Sequence, residues 1–196
     1  MSSKLKSKSK GSFEVKMQHD EETLVALSHM QYDLFCTRNR TARSVLSVVL
    51  ITFALLYGHD SWWSLLIIAY ACYLLTSTYA QANRTAHKIC DQLKAANLPF
   101  PASRYIFEAD RMRIISLPDQ EELEPLMYGN VLQLGEDMKA YYLFRDAYGG
   151  YRIPKSELGD REEEFRLYVQ ERTGKKFIRR LTPLRRLLYW IQSRKK

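Results

Sequence analysis

Apolar and polar residues along this chain change their period several times, and each change marks an element. From Ser44 to Tyr57, and again from Trp62 to Ala82, no charged side chain occurs, and only Gly58-His59-Asp60-Ser61 separates the two runs. Crossing a hydrocarbon layer about 30 Å thick takes roughly 20 apolar residues, with a range of about 17–25. The second run meets that length. The first is short, and reaches it through Thr41-Ala42 if Arg40 and Arg43 snorkel into the headgroups. Residues 41–98 are therefore expected to form a transmembrane helical hairpin whose second helix extends through Lys88, Ile89, Cys90 and Leu93. Leu98-Pro99-Phe100-Pro101 ends it, because proline lacks the amide donor and holds its predecessor extended.

Ahead of the hairpin, Phe13-Glu14-Val15-Lys16-Met17 alternates with period two and predicts a short strand with one buried face. Asp20 is placed to cap a helix, with Glu21 and Glu22 in the first turn where the helix dipole favours them. Leu24, Leu27, Met30, Leu34 and Phe35 then keep helical spacing, so 13–40 reads as a strand followed by an amphipathic helix running on toward Arg38-Asn39-Arg40. Residues 1–12 are rich in Ser and Lys and read as a disordered basic tail. No apolar stretch follows their lysines, so they are not read as a signal peptide.

Beyond Arg104 the period returns to two. Tyr105-Ile106-Phe107-Glu108 and Met112-Arg113-Ile114-Ile115 flank Ala109-Asp110-Arg111 as a hairpin. Leu123 to Tyr128, Val131 to Leu134, Ala140 to Phe144 and Arg152 to Lys155 supply further strands. Pro125 favours a sheet edge. A helix is expected from Gly159-Asp160 through Phe165, Tyr168 and Val169 to Thr173-Gly174, which closes a small antiparallel β domain over 104–175. In 176–196, Thr182 and Pro183 start a helix with Leu184, Leu187, Leu188 and Ile191 on one face. Arg185, Arg186, Arg194, Lys195 and Lys196 lie off that face and Trp190 flanks it, the pattern of an interfacial helix. The alternative is that it packs on the protein's own domain.

Charge adds orientation. The chain carries a formal net charge of +8, while its mean hydropathy of −0.36 means that the apolar content is concentrated in the hairpin. Arg38, Arg40 and Arg43 precede the first span and Arg84 and Lys88 follow the second, with no Lys or Arg between the spans. Basic residues stay in the cytoplasm, so both termini are expected there. Together with Arg185, Arg186, Trp190, Arg194, Lys195 and Lys196 these form the expected contact with anionic headgroups, at about 1 kcal/mol per basic residue near the surface. Cys36, Cys72 and Cys90 form no CxxC and no metal pattern with the histidines, which points to a reducing compartment without disulfides.

Catalytic signals are missing from the sequence. It holds no P-loop, HExxH, nucleophile elbow or dinucleotide glycine pattern, so no cofactor, metal or enzymatic activity is expected. Glu162-Glu163-Glu164 reads as the solvated start of a helix. Tyr141, Tyr142, Tyr148 and Tyr151 read as filling one side of a sheet rather than stacking bases, so nucleic acid is not the expected partner.

Phe13-Glu14-Val15-Lys16 before a short helix, two adjacent spans, Tyr105-Ile106-Phe107-Glu108, Tyr141-Tyr142-Leu143-Phe144 and Ile153-Pro154-Lys155-Ser156 resemble, in that order, the YcxB-like bacterial membrane proteins. The resemblance covers about residues 13–175. It implies an α+β membrane protein of the bacterial inner membrane: a transmembrane helical hairpin plus a small antiparallel β (PH-like) domain with a C-terminal helix. It names an architecture and no activity. The expected function is non-enzymatic presentation of that domain to a protein partner, a second copy or lipid, with Arg104, Arg111, Arg113, Arg152 and Lys155 as expected contacts. The alternatives are an immunity or regulatory membrane protein that blocks another membrane protein, and an enzyme with an unrecognised site.

Overall fold

Strand β1 (Phe13–Gln18) buries Phe13, Val15 and Met17 and exposes the residues between them, as period-two alternation requires. Its partner lies far along the chain. β1 pairs antiparallel with β2 (Ala102–Phe107), Phe13 opposite Phe107 and Gln18 opposite Ala102. The His19 amide donates to the Pro101 carbonyl at 2.9 Å and prolongs the ladder by one bond. Everything between is an insertion into one strand pair. This computed structural model describes residues 13–57, 61–117 and 119–179. The basic tail 1–12, most of the turn between the spans and the amphipathic segment with Arg185, Arg186, Trp190, Arg194, Lys195 and Lys196 lie outside the described residues.

β3 (Arg111–Leu117) and β4 (Glu122–Met127) complete a sheet of order β1-β2-β3-β4, with Pro125 on its edge strand as expected. A second sheet holds β5 (Gln133–Glu136), β6 (Ala140–Phe144), β7 (Gly150–Pro154) and β8 (Phe177–Arg179), ordered β7-β6-β5-β8. β8 runs parallel to β5, so the domain extends beyond residue 175 into the segment expected to be tail. The inner faces meet in a core that includes Phe13, Phe107, Met112, Leu126, Leu134, Tyr141 and Ile153. α4 (Glu162–Thr173) closes the core with Phe165, whose ring meets Phe107 at 4.9 Å and Phe13 at 5.2 Å edge-on. Gly174 ends α4 in the left-handed region at φ 66°, the usual glycine stop.

Helix α1 (Glu21–Phe35) begins at a reciprocal cap. The Thr23 amide donates to Asp20 Oδ1 at 2.8 Å and the Asp20 amide to Thr23 Oγ1 at 2.7 Å. Met30, with Leu27, Leu34 and Phe35, packs on Ala140, Tyr142 and Phe144. This explains why all five residues of β6 are buried: Tyr141 and Leu143 join the inner core while the other three face α1. The tyrosines expected on one side of the sheet therefore fill both. Gly135 permits the close approach, since a Cβ there would stand 2.7 Å from Met30 Sδ.

The amphipathic helix stops at Cys36 instead of continuing to Arg40, and α2 (Thr37–Tyr57) starts at once. The Cys36 amide still bonds the Tyr32 carbonyl and the Arg40 amide the Cys36 carbonyl, both at 3.0 Å, so the path bends without breaking. α3 (Trp62–Ala95) returns antiparallel, as Arg40 near the start of α2 stacks on Tyr79 well along α3. At 1.5 Å per residue α2 is about 31 Å long and α3 about 51 Å. The excess of α3 lies along α1. Small residues mark both contacts: Ser47 and Ala54 are buried on α2, and Ala71, Thr78, Ala82, Ala86 and Cys90 on α3.

Because α1 sits on the sheet chiefly through Met30, Met30→Ala should lower the unfolding free energy by about 2–4 kcal/mol. Urea titration of the detergent-solubilised chain measures this. Leu167→Ala, at an exposed position of α4, should change it by less than about 0.5 kcal/mol.

Candidate functional site

Two surfaces were expected to carry function, the outside of the hairpin with its basic rim and the arginine-bearing face of the β domain. On the hairpin, the apolar windows of α2 and α3 are each only 11% buried, which separates them from core helices of a globular domain. Val45, Val48, Val49, Phe53, Leu55, Leu65 and Leu66 all point outward. Both helices are long and apolar enough to cross a membrane. At the turn end, Trp62 and Trp63 stack with ring centres 4.2 Å apart, a placement suited to an interfacial belt.

The opposite end is polar. Arg38, Arg84 and Lys88 are exposed and Arg43 is half-buried. Arg40 forms an ion pair with Asp33 on α1 and its guanidinium lies 4.6 Å above the Tyr79 ring. His29 Nε2 and Asn83 Oδ1 are 2.6 Å apart, and the Tyr32 and Thr85 hydroxyls 3.2 Å. Farther along, Glu21 accepts from Lys94 at 3.2 Å and faces His87 at 3.3 Å. The rim is thus built by α1 and α3 together. Asn-Arg-Thr-Ala occurs at both 39–42 and 83–86, with different placements: in the second copy Asn83 and Thr85 bind α1 and Ala86 is buried, while in the first Asn39, Thr41 and Ala42 are exposed.

On the β domain, most of the expected contact residues already have partners. Arg104 faces Glu14 at 3.5 Å and Arg111 meets Glu108 at 3.1 Å. Arg113 holds Glu122 through two bonds, 2.6 and 2.9 Å, and also reaches Glu108. That paired donation holds the Glu122 carboxyl below its ordinary value and raises Arg113 above its own. Arg104, Arg111, Arg113 and Lys155 therefore offer a partner less charge than the sequence implies. Arg152 is buried and stands apart from this set.

Lys155 belongs to a cluster that sequence reasoning missed. Its ammonium lies 2.9 Å from Glu136 and 2.9 Å from Glu162, over the Tyr141 ring. Tyr141 donates its hydroxyl proton to Glu162 at 3.0 Å. Arg166 and Arg179 approach Glu136 at 3.6 and 3.9 Å. β5, the turn after β7, α4 and β8 are tied together here, and Glu162 is more than the solvated helix start expected. Burial opposes the charged lysine, but the hydrogen bonds and charges of Glu162 and Glu136 outweigh it and raise its pKa. The Lys155 bond is the chief cause that lowers Glu162, against an opposing desolvation. Among the described residues, no group of three or more His, Cys, Asp or Glu side chains is placed to hold a metal ion.

Comparison with known proteins finds no matching family model, no matching curated protein and no matching solved structure.

Glu136→Gln should destabilise the chain by roughly 2–3 kcal/mol, less than the roughly 3–5 kcal/mol for a wholly broken buried pair, because Glu162 still faces Lys155. Thermal unfolding against pH separates the contributions. The Glu162 contribution is full above its ordinary carboxyl value of 4.5 and fades as pH falls through the lower folded value. That of Lys155 is full below its ordinary 10.5 and fades as pH rises through the higher folded one.

Proposed function

We propose that the chain is a non-enzymatic membrane protein in which α2 and α3 cross the bilayer as a hairpin and hold the β domain on the cytoplasmic face as a binding module. The observation that carries this reading is the outward apolar surface of both helices, bounded at one end by exposed Arg38, Arg84 and Lys88 and at the other by a tryptophan pair. Charges at that rim and none within the apolar runs fit retention of the polar end in the cytoplasm.

The β domain supports a PH-like assignment. A four-stranded antiparallel meander packs against a second sheet of three antiparallel strands plus β8, and the helix that follows β7 plugs the core. The order of parts that resembles the YcxB-like proteins points the same way, with the hairpin inserted after the first strand. Beyond the described residues, Arg185, Arg186, Trp190, Arg194, Lys195 and Lys196 would lay the C-terminal segment on anionic lipid. A protein partner, a second copy or the bilayer itself is what such a module would bind.

Ser61→Cys, in a chain whose Cys36, Cys72 and Cys90 have been replaced by Ala, tests the topology in intact bacterial cells. The new thiol should react with a membrane-impermeant maleimide added from outside. Labelling only after lysis would overturn the orientation.

A further inference from the structure

Where β1 meets β7 the two sheets part around a cleft of about 530 Å³, lined by Lys16, Gln18, Lys139, Arg152, Lys155 and Ser156 among others. Among the described residues Glu157 is the one carboxylate in its lining. Two of the four cations are already neutralised, Lys139 by Glu22 at 2.6 Å and Lys155 by Glu136 and Glu162. Arg152 is not. It is only 8% exposed, yet among the described residues no carboxylate lies within 4 Å of it.

Its guanidinium has weak partners: the Tyr142 hydroxyl, itself bonded to Asp137 at 2.6 Å, faces it, and the charge of Asp20 acts on it from farther off. One terminal nitrogen points at the Met17 sulfur at 3.7 Å, a weak acceptor, and Nε has no hydrogen-bond partner. Next to β1, His19 Nδ1 is also buried without a partner. Burial, followed by the charge of Arg152, depresses the His19 pKa, against the opposing charge of Asp20. Arg152 is thus held buried between two strands with a guanidinium donor, Nε, that none of these groups takes up.

We propose that this cleft binds a small soluble ligand through a phosphoryl group. Of the four cations lining the cleft, Arg152 and Lys16 have no carboxylate within 4 Å among the described residues, which suits a group carrying about two negative charges near neutral pH. The guanidinium fork matches phosphoryl oxygens, and the Gln18 and Ser156 side chains add neutral donors. The volume lies within the roughly 300–1,000 Å³ range of small-molecule sites. Bilayer headgroups are the less suitable source. The cleft lies at the Gln18 end of the insertion, while the rim arginines lie beyond the far end of α1, a helix about 22 Å long. The inference goes beyond the anchoring reading and holds whether or not the hairpin crosses a bilayer.

The test is pyrophosphate titration of the full chain in neutral detergent, with ionic strength held constant by chloride. Calorimetry should show saturable one-to-one binding, and the unfolding temperature should rise by several degrees. Lys16→Gln should weaken binding about tenfold without changing unfolding of the free chain, as loss of one charge-assisted contact implies. Arg152→Met should abolish binding and leave the free chain at least as stable as before, because a buried charge with only weak partners is removed; a merely structural arginine would leave it less stable. If Arg152→Met does not fold, Lys16→Gln decides alone. Absence of saturable binding to the unaltered chain, or unchanged affinity in the variants, would overturn the site. In nanodiscs, equal pyrophosphate affinity in phosphatidylcholine and phosphatidylglycerol is expected. Competition by phosphatidylglycerol would assign the cleft to lipid and overturn the soluble ligand.

Discussion

The ladder between β1 and β2 is the constraint on which the rest depends. It holds Gln18 opposite Ala102, so the chain that leaves the sheet at residue 19 must come back to the same place at 101. A three-helix excursion satisfies this only if its outward and return paths have equal length. α3 is nearly as long as α1 and α2 combined, and the ion pair of Lys94 with Glu21 shows the two paths meeting at the base. β1 also contributes Phe13, Val15 and Met17 to the core, so the sandwich is incomplete without the segment that precedes the helices. Sandwich and hairpin are thus one folding problem.

α1 converts that shared base into a rigid joint. Its sheet side is apolar, with Met30 seated over Gly135 and Phe35 edge-on to Phe144 at 5.6 Å. Its other side is polar, with His29 and Tyr32 reaching Asn83 and Thr85 on α3. The division follows solvent. Apolar contact on the sheet excludes water, whereas polar contacts between α1 and α3 lie beyond the apolar runs, where unmatched polar groups retain access to water. Tilting the hairpin against the sandwich would break both sets of contacts, so both oppose it.

Much of this was legible in the sequence, and what was not shares a cause. The Asp20 cap, the end of α3 ahead of Pro99, the edge position of Pro125 and the stop at Gly174 are local signals, and each acts where it stands. The partner of β1 was hidden because alternation identifies a strand and not its neighbour more than eighty residues away. β6 reads as aromatic and half-buried, and only the docking of α1 buries its second face. β8 was lost inside a basic segment, where one half-buried phenylalanine beside Tyr141 is too weak a pattern. Pairing of Arg113 with Glu122, and of Lys155 with Glu136 and Glu162, depends on register and helix placement that composition does not contain.

Those pairings change what the net charge of +8 means. A basic chain near a membrane invites the reading that its whole surface seeks anions, but the sandwich neutralises much of its own charge across neighbouring strands. Arg104, Arg111 and Arg113 are each matched by a glutamate, so their contribution to a long-range field is small. Exposed Arg38, Arg84 and Lys88 at the rim have no carboxylate within 4 Å among the described residues. The attractive field therefore originates where the helices leave the sandwich, which is where anionic headgroups would lie. Arg152 differs from both groups, being buried and without a carboxylate within 4 Å among the described residues. Its charge reaches His19, Asp20 and whatever enters the cleft, so attraction to a surface and selection of a ligand fall to different residues of one basic chain.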